Sequence, residues 1–133
     1  MIVRFDTTKK IVSEGGLFQN GWVTAKVNGF GTYAIMADTT APKIQRVSFK
    51  NGGWYGAGDI ISFKISDDLS GLKTYNGYID NKWALFEYDS KSDTFFYRLD
   101  ADRLARSKNA HTLKLYIMDE RNNVQTLNAQ FYY

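Results

Sequence analysis

The sequence contains no cysteine, only one histidine and only one proline. Without cysteine there can be no disulfide bonds and no thiolate metal ligands. Cysteine usage therefore does not indicate whether the protein works in an oxidising or a reducing compartment. A single histidine, His111, excludes the histidine-rich sites on which most catalytic zinc centres depend. No apolar run approaches the roughly 18 residues of a membrane-spanning helix. Residues 1–10 lack the apolar stretch of a signal peptide, so we expect either a cytosolic protein or part of a longer exported one.

Strong charge of one sign is also missing. The 17 Lys and Arg residues stand against 14 Asp and Glu residues, which gives a net charge of +3. The basic residues are scattered along the chain rather than gathered in a stripe, which argues against nucleic-acid binding. Aromatic residues, in contrast, make up 16% of the chain. That share is typical of a folded domain with a real core, and 133 residues correspond to one domain or to one domain plus a fragment.

Helical periodicity is almost absent, and short segments instead alternate apolar and polar residues. The clearest are Ile60–Ser66, His111–Met118 and Leu127–Phe131, in which every second side chain is apolar. This period of two predicts strands with one buried face. Two further strands are expected at Ile44–Phe49 and Thr94–Leu99. Gly, Asn and Asp separate the segments, as in a β-sandwich or barrel.

A hairpin is predicted at Tyr78–Tyr88, turning through Asp80-Asn81-Lys82, because Asn and Asp tolerate left-handed backbone angles. Asp100–Arg106 is the only candidate helical turn and reads as a short connector. Counting from Ile44, about seven strands occupy roughly ninety residues, the number expected for an immunoglobulin-like sandwich. We therefore predict an all-β fold, an immunoglobulin or fibronectin type III-like β-sandwich over residues 41–133, with extra N-terminal strands.

Residues 1–40 are too few to fold alone without covalent or metal cross-links. The pattern predicts a strand at Ile2–Phe5, a turn at Gly15-Gly16, and a hairpin of Trp22–Val27 with Thr32–Ala37 through Asn28-Gly29. Pro42 follows within a short polar stretch that suits a stiff linker between domains. We interpret residues 1–40 as the terminal strands of a preceding β-domain or as an N-terminal extension.

Three stretches together resemble tandem immunoglobulin-like modules of bacterial surface proteins. The linker Asp38-Thr39-Thr40-Ala41-Pro42 resembles their Asp-Thr-Thr-Pro-Pro junction. Asp67-Asp68-Leu69-Ser70-Gly71 resembles the Asp-x-x-Ser-Gly turn after their second strand. His111-Thr112-Leu113 leading to Asp119-Glu120-Arg121-Asn122-Asn123 resembles their His-Thr-Leu strand and Asp-x-x-Gly-Asn turn. Asn122 replaces the glycine of that pattern, and asparagine also accepts a positive φ.

A narrower likeness lies in Gly77-Tyr78-Ile79-Asp80-Asn81-Lys82-Trp83 together with Glu87-Tyr88-Asp89. These segments are similar to the C-terminal immunoglobulin-like module of exported Bacteroidetes proteins, which often carry a lysostaphin-like zinc peptidase that cuts peptidoglycan. The resemblance covers most of residues 31–133 and implies a periplasmic or cell-surface location. Its motifs are turn signatures rather than active-site residues, so it implies a secreted, peptidase-associated binding domain and no activity of its own.

The sequence offers no catalytic constellation, and we expect no enzyme activity. His111 begins a strand, no serine lies in a nucleophile-elbow pattern, and a structural histidine is the simpler interpretation. No cofactor is expected. Calcium is the one alternative, because four oxygen-bearing side chains follow two strands that end at one pole: Asp67, Asp68, Asp119 and Asn122. The simpler interpretation is that these residues form Asx turns.

Exposed aromatic rings raise the alternative of glycan binding. Trp54 and Tyr55 lie in a Gly-rich loop, and Tyr75 and Tyr78 join them if the sheet face is open. Burial is the competing interpretation, since Trp and Tyr usually bury large areas in sandwiches. We weigh burial above binding for Trp54, and more strongly for Trp83, which is predicted to be a core residue.

Three functions therefore remain from the sequence. The first is a non-catalytic accessory, spacer or docking module of a bacterial cell-envelope protein, linked through the family resemblance to peptidoglycan metabolism. The second is a carbohydrate- or peptidoglycan-binding domain. The third is a protein-interaction module that associates through sheet edges, forming a homo-oligomer or binding other domains of a larger protein. None involves nucleic acid or a membrane span.

Overall fold

The computed structural model describes residues 1–133 and is built from fourteen strands joined by turns. No helix in it has the length and apolar character needed to cross a membrane. The first five strands belong to the N-terminal unit, residues 1–38: β1 (Ile2–Phe5), β2 (Ile11–Ser13), β3 (Leu17–Gln19), β4 (Trp22–Thr24) and β5 (Thr32–Ile35). They form a three-stranded sheet of order β2-β1-β5 and a separate β3-β4 hairpin.

The remaining nine strands form a sandwich of two sheets. They are β6 (Lys43–Arg46), β7 (Gly53–Trp54), β8 (Ile60–Ser66), β9 (Leu72–Ile79), β10 (Lys82–Ala84), β11 (Glu87–Asp89), β12 (Thr94–Arg98), β13 (His111–Asp119) and β14 (Val124–Tyr132). One sheet has four strands in the order β11-β12-β8-β6, and the other has five in the order β10-β9-β13-β14-β7. Every pairing is antiparallel except that of β7 with β14. The predicted all-β sandwich is confirmed, while its assignment to the immunoglobulin or fibronectin type stays a prediction.

The core lies between these two sheets. Every second residue of β8 and of β13 points into this core. Phe63 on one sheet and Leu115 on the other, for example, have no exposed surface. Each large apolar side chain buried in this way contributes about 1.5–3 kcal/mol relative to an exposed one. The period of two seen in the sequence is therefore the cause of the two-layer architecture. Strand β6 ends at Arg46, before the predicted end of the strand at Phe49. The side chain of Phe49 is buried in the core.

The chain changes sheets between Ala84 and Glu87. Strand β10 pairs with β9 in the five-stranded sheet, whereas β11 pairs with β12 in the four-stranded sheet. The predicted turn is confirmed, since Asp80 and Asn81 both have positive φ angles, of 50° and 62°. The second arm of the predicted hairpin, however, is split between the two sheets. Phe86 fills the crossing point and is buried.

The hairpin predicted through Asn28-Gly29 is wrong. Strand β4 pairs with β3 instead, through a turn at Asn20-Gly21 whose residues have φ angles of 52° and 83°. Strand β5 pairs with β1. Both Asn-Gly pairs suit a two-residue hairpin, and the pairing partner available within reach decides which one makes it. The predicted strand at Ile2–Phe5 and the turn at Gly15-Gly16 are both present.

Candidate functional site

Three carboxylates meet at one pole of the sandwich. Asp38 comes from the linker before β6, Asp67 follows β8, and Asp119 ends β13. One oxygen from each lies within 4.8 Å of the others. Strands β8 and β13 belong to different sheets, so this acidic cluster bridges both layers of the sandwich and the incoming linker.

Turn geometry fixes two of these carboxylates. Asp67 Oδ2 accepts hydrogen bonds from the backbone N–H groups of Leu69 (3.1 Å) and Gly71 (2.8 Å). Asp119 Oδ1 accepts the same kind of pair from Arg121 (2.7 Å) and Asn123 (2.9 Å). In both turns the side chain replaces the missing backbone acceptor, which is the usual role of aspartate after a strand. The Asx-turn interpretation of these residues thus agrees with the geometry.

The linker is clasped to the two turns. Asp38 Oδ2 accepts a hydrogen bond from the Ser70 N–H at 3.0 Å, and the Asp38 carbonyl accepts one from Asn123 Nδ2 at 3.1 Å. A third hydrogen bond joins the sandwich to the N-terminal unit itself: Arg121 donates to the carbonyl of Gly16 at 2.9 Å. These three hydrogen bonds join the N-terminal unit to the pole of the sandwich.

Electrostatics favours the ionised form of the linker carboxylate. Burial acts to raise the pKa of Asp38, but hydrogen bonds from Ser70 and Thr40 and the positive charge of Arg121 outweigh it, so the pKa lies below its ordinary value. Asp119 is completely buried, and its second oxygen accepts a hydrogen bond from Asn123 Nδ2 at 2.7 Å. N–H donors therefore compensate negative charge throughout the cluster.

The predicted calcium set is corrected by this geometry. Asp67 and Asp119 do come together, but Asp68 points away and pairs with Lys43. Asn122 also points away and accepts a hydrogen bond from Lys73 at 2.9 Å. The third carboxylate of the cluster is instead Asp38. The sequence pattern does not reveal it, because Asp38 lies 29 residues before Asp67 and 81 residues before Asp119. The only feature of the sequence that points to Asp38 is its position in the linker, because the linker must pass the pole at which the predicted turns lie.

A cation at this pole would bind to Asp38, Asp67 and Asp119. Calcium takes six to eight oxygen ligands in protein sites. Both oxygens of Asp119 and both of Asp38 already accept hydrogen bonds, and Arg121 supplies positive charge nearby. The hydrogen-bonded arrangement thus fits a linker clasp better than a calcium site.

The four aromatic residues predicted as one binding site do not come together in one place. Trp54 is 72% exposed and stacks on Tyr132 with 4.3 Å between ring centroids. Tyr55 packs against Phe49 of the core, at 6.2 Å between centroids. Tyr75 contacts Phe95 of the core, with 5.7 Å between ring centroids, and is 39% exposed.

Tyr78 lies on the outer face of the five-stranded sheet, where the structure also places Trp83. The prediction that Trp83 is a core residue is wrong, because its side chain is 60% exposed and its indole N–H donates to Asn76 Oδ1 at 3.2 Å. Trp83 lies opposite Tyr78 on the edge strand β10, where no second layer covers the outer face. Trp54 is likewise exposed rather than folded over the core.

His111 is buried and bonded to a carboxylate. Its Nδ1 lies 2.7 Å from Asp80 Oδ2, and its ring stacks on Phe131 with 5.4 Å between centroids. Burial acts to raise the pKa of Asp80, but hydrogen bonds from His111 and from the Thr112 N–H outweigh it and lower that pKa. A hollow of about 480 Å³ adjoins this pair, and its lining is mainly apolar and includes no serine.

Comparison with known proteins adds two likenesses. A family model for the Zu5-like domain matches residues 1–38, which is the N-terminal unit and ends at Asp38. The endo-beta-1,4-mannanase from Thermotoga petrophila has a solved structure that resembles 71% of this chain, with a TM-score of 0.56 and 10% sequence identity. The likeness covers 20% of the mannanase chain, and at that identity it shows the fold alone. No curated protein matches the sequence.

Proposed function

We propose that the chain is a non-catalytic accessory module of an exported bacterial cell-envelope protein, in which it spaces or docks neighbouring domains. The observation that carries the proposal is the clasp of Asp38, Ser70, Asn123, Arg121 and Gly16. A flexible linker would let two units tumble independently, and relative motion of domains is the usual expectation. Hydrogen bonds from two turns of the sandwich to the linker and to the unit before it favour one fixed orientation.

Two further features support a module of this kind. The N-terminal unit has a sheet of its own, and the Zu5-like match lies within it, which supports a division into residues 1–40 and 41–133. The same sandwich fold makes up a fifth of the mannanase chain, so it occurs there as one part of a larger protein. The family resemblance of the turn motifs supports a periplasmic or surface setting and a link to peptidoglycan metabolism.

The direct test is incubation of the purified chain with isolated peptidoglycan sacculi. We expect no soluble muropeptides or peptides, analysed by liquid chromatography with mass spectrometry beside a muramidase as the positive control. Release of wall fragments that depends on protein concentration would contradict a non-catalytic role. A mock preparation from cells that do not express the chain would show whether any such release originates in the chain.

Association through protein contacts is the second candidate function. The β3-β4 hairpin exposes Leu17, Phe18 and Trp22, each about three-quarters accessible. The edges of β2 and β5 in the neighbouring sheet have no strand beside them. Unpaired edges next to exposed apolar side chains are the features by which strands recruit partners. Multi-angle light scattering over a range of concentrations distinguishes a monomer from an edge-paired oligomer.

A further inference from the structure

The outer face of the five-stranded sheet carries a row of side chains that crosses four strands. Trp83 lies opposite Tyr78, Tyr78 lies opposite Lys114, and Lys114 lies opposite Asn128. Residues directly opposite one another point to the same face, and neighbouring strands lie about 4.8 Å apart, so the row spans about 14 Å. No second sheet or helix covers this side of the sandwich.

Two adjoining hollows lie on this face. One has a volume of about 420 Å³ and the other of about 340 Å³, and both are lined by Tyr78, Asn81 and Lys114. Asn128 and Gln130 also line the first hollow, and Asn76 and Tyr116 complete the second. These volumes fall within or near the range of small-ligand sites in proteins. Because the hollows share three side chains, they form one continuous groove, the outer-face groove.

The chemistry of the outer-face groove is amide, aromatic and cationic. No carboxylate lines either hollow, and Asp80 in the adjoining turn is bonded to His111 and Thr112. Lys114 has no ion-pair partner in the structure. Asn and Gln side chains carry both hydrogen-bond donors and acceptors, so they can donate to a hydroxyl group or accept from one. An unpaired lysine at the centre of a face without carboxylates favours a ligand that carries negative charge.

We propose that the outer-face groove binds a linear acidic polysaccharide, a chain of sugar rings that bear carboxylates. Tyr78 within the groove and Trp83, which lies beside the groove opposite Tyr78, offer ring surfaces on which the apolar faces of sugars stack, and Lys114 pairs with a sugar carboxylate. Asn81 and Asn128 bind hydroxyl groups. The hydrogen bond from Trp83 to Asn76 holds the indole in place before binding, which reduces the loss of side-chain freedom on association. This binding activity goes beyond the proposed spacer function and does not depend on it.

The test is titration of ¹⁵N-labelled protein with oligogalacturonate, an acidic oligosaccharide, followed by NMR. We expect chemical-shift changes confined to β9, β10, the turn between them, β13 and β14. The dissociation constant should rise about tenfold in Trp83→Ala, the loss of one stacking contact, and by several-fold in Lys114→Gln. Binding of the wild type should weaken as salt is added, because an exposed ion pair is screened.

The matched control is Trp22→Ala, which removes a tryptophan that is even more exposed than Trp83 from the N-terminal hairpin and should bind as the wild type does. Uncharged manno-oligosaccharide should bind much more weakly than oligogalacturonate. The proposal is overturned by the absence of shift changes at millimolar ligand. Equal binding of both sugars, or equal effects of Trp83→Ala and Trp22→Ala, would also overturn it. The dispersed spectrum of each variant shows that it is folded.

Discussion

Gly77 shows how closely single residues are constrained at the point where the chain changes sheets. A Cβ atom added to Gly77 would lie 2.1 Å from Cδ2 of Phe86, which is a severe overlap. Phe86 is buried and stacks against Phe95, with 4.9 Å between ring centroids, so its ring cannot move aside freely. Glycine is therefore required here by the close approach of a ring.

We predict that Gly77→Ala lowers the free energy of unfolding by about 1–3 kcal/mol, the usual cost of overpacking a core. Gly29→Ala is the matched control, because a Cβ there meets no atom within 4 Å. Urea denaturation followed by tryptophan fluorescence measures both variants. Equal stability of Gly77→Ala and Gly29→Ala would show that the ring of Phe86 does not lie against the backbone of β9.

The Asp80–His111 pair predicts a pH dependence. The folded state lowers the pKa of Asp80, so its carboxylate stabilises the fold above the unfolded pKa of about 4, and this contribution is lost as pH falls further. Asp80→Asn should therefore be less stable than the wild type at pH 7, and the difference should shrink below about pH 4. Asp102→Asn is the control, since that carboxylate is exposed. Thermal unfolding across pH 3–7 tests this, and a difference that stays constant with pH would contradict it.

At the scale of secondary-structure elements, the turns that leave the strands share one construction. Asp6, Asp67 and Asp119 each accept backbone hydrogen bonds from the residues two and four positions later. The sequence alone places the latter two turns correctly, because aspartate after a strand has a local mechanism. It cannot say which Asn-Gly pair makes a hairpin or that Trp83 is exposed. Those outcomes depend on partners distant in sequence and on which sheet face is left uncovered.

Asn122 in the turn after β13 has a φ of 67°, as expected from the glycine at this place in the turn motif that the segment resembles. We predict that Asn122→Gly changes the free energy of unfolding little, whereas Asn122→Ala lowers it by about 1 kcal/mol, because a left-handed conformation is costly for a residue with a plain Cβ. Chemical denaturation of both variants provides the comparison. If alanine is tolerated as well as glycine, this turn does not hold the left-handed conformation.

The hydrogen bonding of the acidic cluster predicts that calcium does not change the stability of the fold. Because its carboxylates are compensated by N–H donors and by Arg121, we expect the same Tm in EDTA and in excess calcium chloride. Differential scanning fluorimetry measures both conditions, with Asp119→Asn as the comparison variant. A rise in Tm that calcium produces in the wild type and not in Asp119→Asn would show that the pole of the sandwich is a calcium site instead.

At the scale of the whole molecule, the two-layer sandwich follows from alternating residues, and most of it could be predicted. Residues such as Phe63 and Leu115 mark the inner faces of both sheets, and they are fully buried. The acidic cluster could not be predicted, since Asp38, Asp67 and Asp119 meet only when both sheets and the linker are assembled. A site assembled from distant segments leaves no local pattern in the sequence.

The central claim is that the clasp holds the N-terminal unit in one orientation on the sandwich. The chain has no native cysteine, so spin labels can be attached cleanly to Lys10→Cys and Ser90→Cys, both exposed and on opposite sides of the linker. Their separation is measured by double electron–electron resonance, with and without Asp38→Ala, and with Asp68→Ala as the control. We predict a single narrow distance distribution for the wild type and for Asp68→Ala, and a broader one for Asp38→Ala, which loses the side-chain hydrogen bond from Ser70. A wild-type distribution as broad as that of Asp38→Ala would contradict the claim.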